Sequence, residues 1–266
     1  MTTQPRIDLV TVAGLALLLM PLLTMAHEIG GHAAMCLATG GKVTELGAFY
    51  VQCSSTGDTA RQLVALAGMG ADAVLGALAF VVWRKWLTGD LARLCGWYVW
   101  LSLTFSAAGY FLFSGVSGMG DLGPGAGGGI GPLPQPLLWR AAFAVGGGLA
   151  YWHLARTGVM TLNSMIGQGP ETRAARRSAA HGYYAALCVA AVLVSLPNPV
   201  GLFVTLASAT AASFGGKAGM ISIGYATKAS GEARAFVVER SWPLFAVGLA
   251  TSLAFAAVLG PTLRFG

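Results

Sequence analysis

The sequence predicts an all-α polytopic membrane protein of about seven transmembrane helices, with a short β element at the membrane surface after the first. Three observations carry that reading. The chain is 55% apolar and 10% charged over 266 residues, and its mean hydropathy of +0.67 lies outside the range of an ordinary soluble domain. Its apolar residues fall in runs near the roughly 17 to 25 residues that cross a bilayer as a helix. Its basic residues gather in alternate connections between the runs, as expected where positive charge is held on the cytoplasmic side.

The runs lie near Leu9 to Leu37, Leu63 to Trp83, Leu94 to Val116, Leu137 to Met160, His181 to Leu196 and Leu244 to Leu259. A shorter one, Val200 to Phe214, follows Pro197-Asn198-Pro199, which reads as a tight hairpin because proline cannot continue a helix and asparagine suits a turn. The first run is too long for a removable signal peptide, and its flank lacks a small-residue cleavage pattern. With the N-terminus inside, 12 of the 16 Lys and Arg fall on the cytoplasmic side, Lys217 among them, and only Lys42, Arg61, Arg140 and Arg264 fall outside. Topology therefore explains the pI near 9.4. The cations are scattered over short loops without interleaved aromatics, so the bilayer is the expected partner and nucleic acid is not. Cys36, Cys53, Cys95 and Cys188 contain no C-x-x-C pair, so neither a disulfide framework nor a thiolate metal site is indicated; Cys36 and Cys53 could share a side of the membrane, and a disulfide between them is the minor alternative.

The first run contains Thr24-Met25-Ala26-His27-Glu28-Ile29-Gly30-Gly31-His32. Two histidines on one helical face offer two imidazoles to Zn2+, and a glutamate beside the first can take a proton from water at the metal. The familiar spacing of such histidines is four; here it is five. In a regular α-helix a separation of four leaves side chains about 40° apart, and five leaves them about 140° apart. A single-turn π-bulge absorbs one extra residue, and adjacent glycines distort most readily, so a bulge is expected around Ile29 to Gly31. With 4 His and 10 Asp+Glu in the chain, a match at either spacing arises by chance in roughly one chain of several hundred. The alternative is a pair of helix-end histidines that merely find hydrogen-bond partners.

After this run, Lys42-Val43-Thr44-Glu45-Leu46-Gly47-Ala48-Phe49-Tyr50-Val51-Gln52 is rich in strand formers and bounded by glycine and serine, so one or two short strands are expected at the membrane surface. Such an edge could hold an extended substrate by main-chain pairing, or could simply cap the bundle. In the second run, Ala67-Gly68-Met69-Gly70-Ala71-Asp72 puts a carboxyl about ten residues, or ~15 Å, from the outer end. His27 lies at a matching depth below Leu37. A carboxyl at membrane depth marks a site or a buried partner, so Asp72 is expected to support the metal site, to bind substrate, or to make a structural hydrogen bond.

The third run ends in Ser114-Gly115-Val116-Ser117-Gly118-Met119-Gly120-Asp121-Leu122-Gly123-Pro124. Gly118-x-Gly120-x-x-Gly123 formally matches a dinucleotide fingerprint, but no strand precedes it and no βαβ unit fits. Irregular backbone is tolerated at membrane depth where it lines a cavity, and Asp121 is the loop's only ionisable side chain. Catalytic zinc takes three protein ligands plus water, and carboxylate is a common third; otherwise Asp121 is a loop carboxylate in water. Arg140, nearby at the outer end of the fourth run, could pair with Asp121 or Glu28, bind substrate, or snorkel to the interface.

His27-Glu28-Ile29-Gly30-Gly31-His32-Ala33-Ala34 followed by Gly40-Gly41-Lys42-Val43 resembles the catalytic helix and glycine turn of the site-2 family of intramembrane metalloproteases. That family has the shorter spacing; three residues between glutamate and histidine is similar to the dipeptidyl peptidase III zinc motif. The resemblance implies that Gly120-Asp121-Leu122-Gly123 corresponds to the family's third-ligand motif and that Asp72 stands at or near an asparagine of its second core helix. It covers roughly residues 9 to 125. On this reading residues 1–136 form a three-helix zinc metalloprotease core, and residues 137–266 form a four-helix accessory region. His27, His32 and Asp121 bind Zn2+, Glu28 is the general base, and Asp72 and Arg140 support the site or bind substrate. The substrate is a membrane protein or peptide. The alternatives are a seven-span zinc amidase acting on lipids, which would draw histidines from later runs, and a non-enzymatic protein that binds, senses or moves a divalent metal. His153 and His181 fall toward the inner side as ordinary polar positions.

Overall fold

The computed structural model describes residues 4–125, 128–198 and 214–266. After a two-residue strand β1 (Arg6–Ile7), Asp8 caps the first helix, its carboxylate accepting from the backbone N–H of Val10 and Thr11 at 2.9 and 3.3 Å and so satisfying donors that a helix start leaves open. Helix α1 (Leu9–His27) runs without a break through a π-helical turn (Glu28–Ala33) into α2 (Ala34–Ala38). The chain then reverses at Gly40, whose φ of +76° is the left-handed conformation that glycine adopts freely. Strands β2 (Lys42–Leu46) and β3 (Val51–Ser54) follow as an antiparallel pair with a register shift between Val43 and Glu45.

Three long helices come next: α3 (Asp58–Lys85), α4 (Asp90–Ser117) and α5 (Pro136–Ile166). Glycines let α4 and α5 cross closely. A Cβ built on Gly115 would lie 2.7 Å from the Arg140 carbonyl oxygen, and one on Gly147 would lie 2.5 Å from the Leu112 nitrogen, the small-residue contact typical of packed membrane helices. A short helix α6 (Arg173–Arg177) leads through a second π turn (Ser178–Gly182) into α7 (Tyr183–Ser195). Helix α8 (Gly219–Tyr225), strand β4 (Val237–Val238), helix α9 (Trp242–Leu259) and strand β5 (Leu263–Arg264) complete the chain. At one end β4 pairs in parallel with β1; at the other β5 adds to the free side of β2, giving the order β3-β2-β5. The site helix α1 is held from behind by α9, where a Cβ on Gly14 would lie 2.8 Å from Phe245 backbone and Ser252 Oγ donates to the Leu17 carbonyl at 2.6 Å. The core is aromatic. Trp97, Tyr98, Phe105 and Tyr183 are fully buried, and the rings of Tyr98 and Tyr183 stack at 3.9 Å.

Among the described residues, five helical segments are long and apolar enough to cross a membrane: Leu9–Ala38, Asp58–Lys85, Asp90–Ser117, Pro170–Ser195 and Trp242–Leu259. Their outer faces carry exposed Val74, Leu78, Val189, Leu193 and Leu253, as lipid contact requires. Helix α5, which contains the expected run Leu137 to Met160, is continuous over 31 residues, but Arg140, His153 and Arg156 interrupt its apolar sequence. The expected seventh span, Val200 to Phe214, lies almost wholly outside the described residues.

Two expectations are corrected. Cys36 and Cys53 form a disulfide, joining α2 to β3; their separation of 17 residues fits no short cysteine motif, and it is the hairpin's fold back over α2 that brings them together. Lys217, expected in a cytoplasmic loop, is buried inside the bundle, where its Nζ donates to Ser106 Oγ in the middle of α4 at 3.0 Å. Gly109 of α4 permits this approach: a Cβ there would lie 2.8 Å from the Gly216 Cα.

Candidate metal centre

The π turn brings the two histidines together. Hydrogen bonding from i to i+5 makes a separation of five about one turn, so His27 and His32 leave the same face and their Nε2 atoms lie 3.2 Å apart. Gly30 and Gly31 contribute differently. A Cβ on Gly30 would meet nothing within 4 Å, so Gly30 supplies backbone freedom; one on Gly31 would lie 2.5 Å from the Gly68 Cα, so Gly31 supplies contact with α3. Gly68 in turn lies directly over both imidazoles: its Cβ would strike His32 Nε2 and come within 2.6 Å of His27 Nε2.

Each histidine is oriented by its other nitrogen. His27 Nδ1 lies 2.9 Å from Asp72 Oδ2, and His32 Nδ1 lies 2.7 Å from the Val64 carbonyl oxygen. A carbonyl only accepts, so His32 Nδ1 carries the proton, and a carboxylate assigns the proton of His27 to Nδ1 in the same way. In the neutral rings both Nε2 atoms then present lone pairs to one point. Tyr110 of α4 stacks on His27 with ring centres 4.8 Å apart and planes 14° from parallel, which fixes the ring further.

Asp121 completes the convergence. Beyond α4 the chain turns through Gly118 and Gly120, with φ of +76° and +79°, and the Gly120 carbonyl accepts from the N–H of Gly123 at 3.0 Å and of Gly129 at 2.9 Å. This wound loop sets Asp121 Oδ2 at 3.6 Å from His27 Nε2 and 3.3 Å from His32 Nε2. The three ligand atoms lie within 4.8 Å of one another. Two lone pairs and a carboxylate oxygen facing each other in a buried place repel unless a proton or a metal cation sits among them, and Asp121 Oδ2 has no hydrogen-bond partner among the described residues. The cluster could hold a metal ion. His27 and Asp72 form the carboxylate–histidine pair that commonly orients a metal-ligating imidazole.

Glu28 is buried and its Oε2 is also without a partner among the described residues. It stands between two cavities. The outer, about 270 Å3, is bordered by Glu28, His32, Asp121, Tyr110, Arg61 and the β3 residues Val51 and Cys53. The inner, about 30 Å3 and so just large enough for water, is bordered by Thr24, Glu28, Asp72, Ser102, Ser106 and Lys217.

The structure thus brings together His27, Glu28, His32, Asp72 and Asp121. Arg140 is elsewhere: its guanidinium closes the C-terminus of α4, Nε donating to the Gly115 carbonyl at 3.1 Å and Nη2 to that of Val116, and Arg61 is the arginine at the outer cavity. His153 is exposed, and His181 Nε2 bonds the Ile221 carbonyl at 3.1 Å. Gly68, Tyr110 and Lys217 are site residues that sequence reasoning missed. A lysine set in Gly215-Gly216-Lys217, after a long apolar stretch, was a readable signal; Tyr110 had none, being one aromatic among many. No family model matches the chain, and neither a curated protein nor a solved structure matches it.

Proposed function

We propose that the protein is an intramembrane zinc metalloprotease, similar to the site-2 family, that hydrolyses peptide bonds of membrane-associated substrates. The observation that carries this reading is a buried carboxylate, Glu28, whose Oε2 has no hydrogen-bond partner among the described residues and which borders the same cavity as His32 and Asp121 of the converging donor set. Nitrogen and carboxylate donors in a set of two histidines and one aspartate suit Zn2+ with one position left open. Held by His27, His32 and Asp121, the ion supplies Lewis acidity: a nucleophile formed from water near neutral pH and a polarised scissile carbonyl. Glu28 accepts the proton that the water gives up and delivers it to the leaving amine. Asp72 keeps His27 in the tautomer that leaves Nε2 free, and the Val64 carbonyl does so for His32. Strand β3 is paired on one side only and borders the outer cavity, so an extended substrate segment can add to its edge by main-chain hydrogen bonds.

The Cys36–Cys53 bond supports the orientation read from charge. Disulfides persist in oxidising compartments, which favours a hairpin and outer cavity that face away from the cytoplasm, the side opposite the N-terminus in the orientation we propose. The experiment is cleavage of a transmembrane peptide carrying an unwound outer segment, with protein and peptide co-reconstituted in lipid nanodiscs. Wild type cleaves it; Glu28→Gln retains the metal and loses turnover by about 10²- to 10⁴-fold. Metal retained with no peptidase activity in wild type, and an unchanged metal-dependent property in Glu28→Gln, would instead assign the site to non-enzymatic metal binding.

A further inference from the structure

At the end of the bundle opposite the metal centre, a cleft of about 840 Å3 opens between the α3–α4 turn and the last turns of α5. Arg84, Lys85 and Arg93 border it, and among the described residues none of the three makes a side-chain hydrogen bond or ion pair. Arg93 lies over the Trp83 ring at 5.9 Å, and Trp83 Nε1 donates to the Arg93 carbonyl at 2.9 Å, so this cation is pinned to the wall of the cleft. Asp90 also borders it, but its Oδ2 accepts the Val237 N–H at 2.7 Å, leaving the cleft with an excess of two positive charges. The opposite wall presents Thr157, Met160 and Thr161. Next to the cations, Val81, Val82 and Met160 are exposed on the outer faces of α3 and α5.

Cations concentrated at one end of membrane-crossing helices, with an aromatic side chain at that level and an apolar face leading away, match the chemistry of an anionic phospholipid. We infer that this cleft binds the phosphate head group of an anionic phospholipid, whose acyl chains lie along the exposed faces of α3 and α5. The head group's phosphodiester takes the guanidinium groups by charge-assisted hydrogen bonds. A soluble phosphate shares the phosphate chemistry but leaves the apolar faces uncovered.

The test is native mass spectrometry of the full chain in detergent, titrated with phosphatidylglycerol, phosphatidylcholine or inorganic phosphate, as wild type and as the Arg84→Gln/Lys85→Gln/Arg93→Gln variant. Arg173→Gln/Arg177→Gln serves as a control that removes exposed cations outside the cleft. The expected result is phosphatidylglycerol retained over phosphatidylcholine by wild type and by the control, and retained at least about tenfold less by the triple variant. Arg93→Gln alone, the mildest change, lowers retention in the same direction. Equal retention of both lipids, equal retention by wild type and triple variant, or uptake of inorganic phosphate without preference for phosphatidylglycerol would each overturn the inference.

Discussion

Gly68→Ala adds one methyl group at the closest point between α3 and the metal centre. The new Cβ would strike His32 Nε2, 2.6 Å from His27 Nε2 and 2.7 Å from His32 Cε1. Carbon and nitrogen atoms settle at about 3.5 Å, so the imidazoles and the α3 backbone must part by about 0.9 Å. Neither side yields easily. His27 is held between Asp72 and Tyr110, His32 is tied to the Val64 carbonyl on α3 itself, and Gly68 already touches Gly31. Metal–ligand distances tolerate about ±0.2 Å, several times less than this displacement. Gly68→Ala is therefore expected to lower metal affinity by more than the roughly 10- to 100-fold of a lost supporting hydrogen bond, with an overpacking cost of about 1 to 3 kcal/mol in stability. Gly70→Ala, two residues on, is the control: its Cβ would meet nothing within 4 Å, and it adds helix propensity. Competitive titration with a zinc chelator, beside thermal denaturation, reads both quantities. Wild-type affinity in Gly68→Ala would refute the reasoning, because the two imidazoles could not then stand where they are described.

Asp72→Asn keeps the shape beside His27 but removes the charge that holds its tautomer; metal affinity is expected to fall about 10- to 100-fold, measured by the same chelator titration, with His27 and His32 still present as ligands. Cys36→Ser/Cys53→Ser opens a loop closed across 17 residues and is expected to lower stability by about 3 kcal/mol, read by denaturation, with an equal effect of a reductant on wild type. Lys217→Met removes the hydrogen bond to Ser106 and is expected to destabilise by about 1 to 3 kcal/mol. Lys217 borders the inner cavity with His27 and Asp72 but is not one of the three candidate ligands, so the variant's metal affinity should change less than that of Asp72→Asn.

The candidate metal centre was partly legible because its members are rare. Histidine and acid stand out in an apolar chain, two adjacent glycines flag the distortion that the spacing demands, and a single carboxyl in a glycine loop has little else to do. The π turn at Glu28–Ala33 contains the expected bulge. What was not legible depends on contacts between distant segments. Gly68 matters because α3 crosses at Gly31, and Tyr110 because α4 lies beside His27; no local pattern separates either from its neighbours. Lys217 counted as a loop cation in a rule that weighs charge by position between runs, whereas the fold turns the segment inward over Gly109. The disulfide follows from the hairpin folding back over α2, and the addition of β5 to β2 from the return of the C-terminal segment to that hairpin. Arg140 caps the last carbonyls of α4, a contact between distant segments that no local pattern in the sequence shows.

The most direct measurement is the zinc content of the purified protein, by inductively coupled plasma mass spectrometry, for wild type beside His27→Ala, His32→Ala, Asp121→Ala and Glu28→Gln. The account predicts about one zinc per chain in wild type and in Glu28→Gln, and loss in the other three. No zinc in wild type under non-chelating conditions, or zinc retained without His27 and His32, would contradict it.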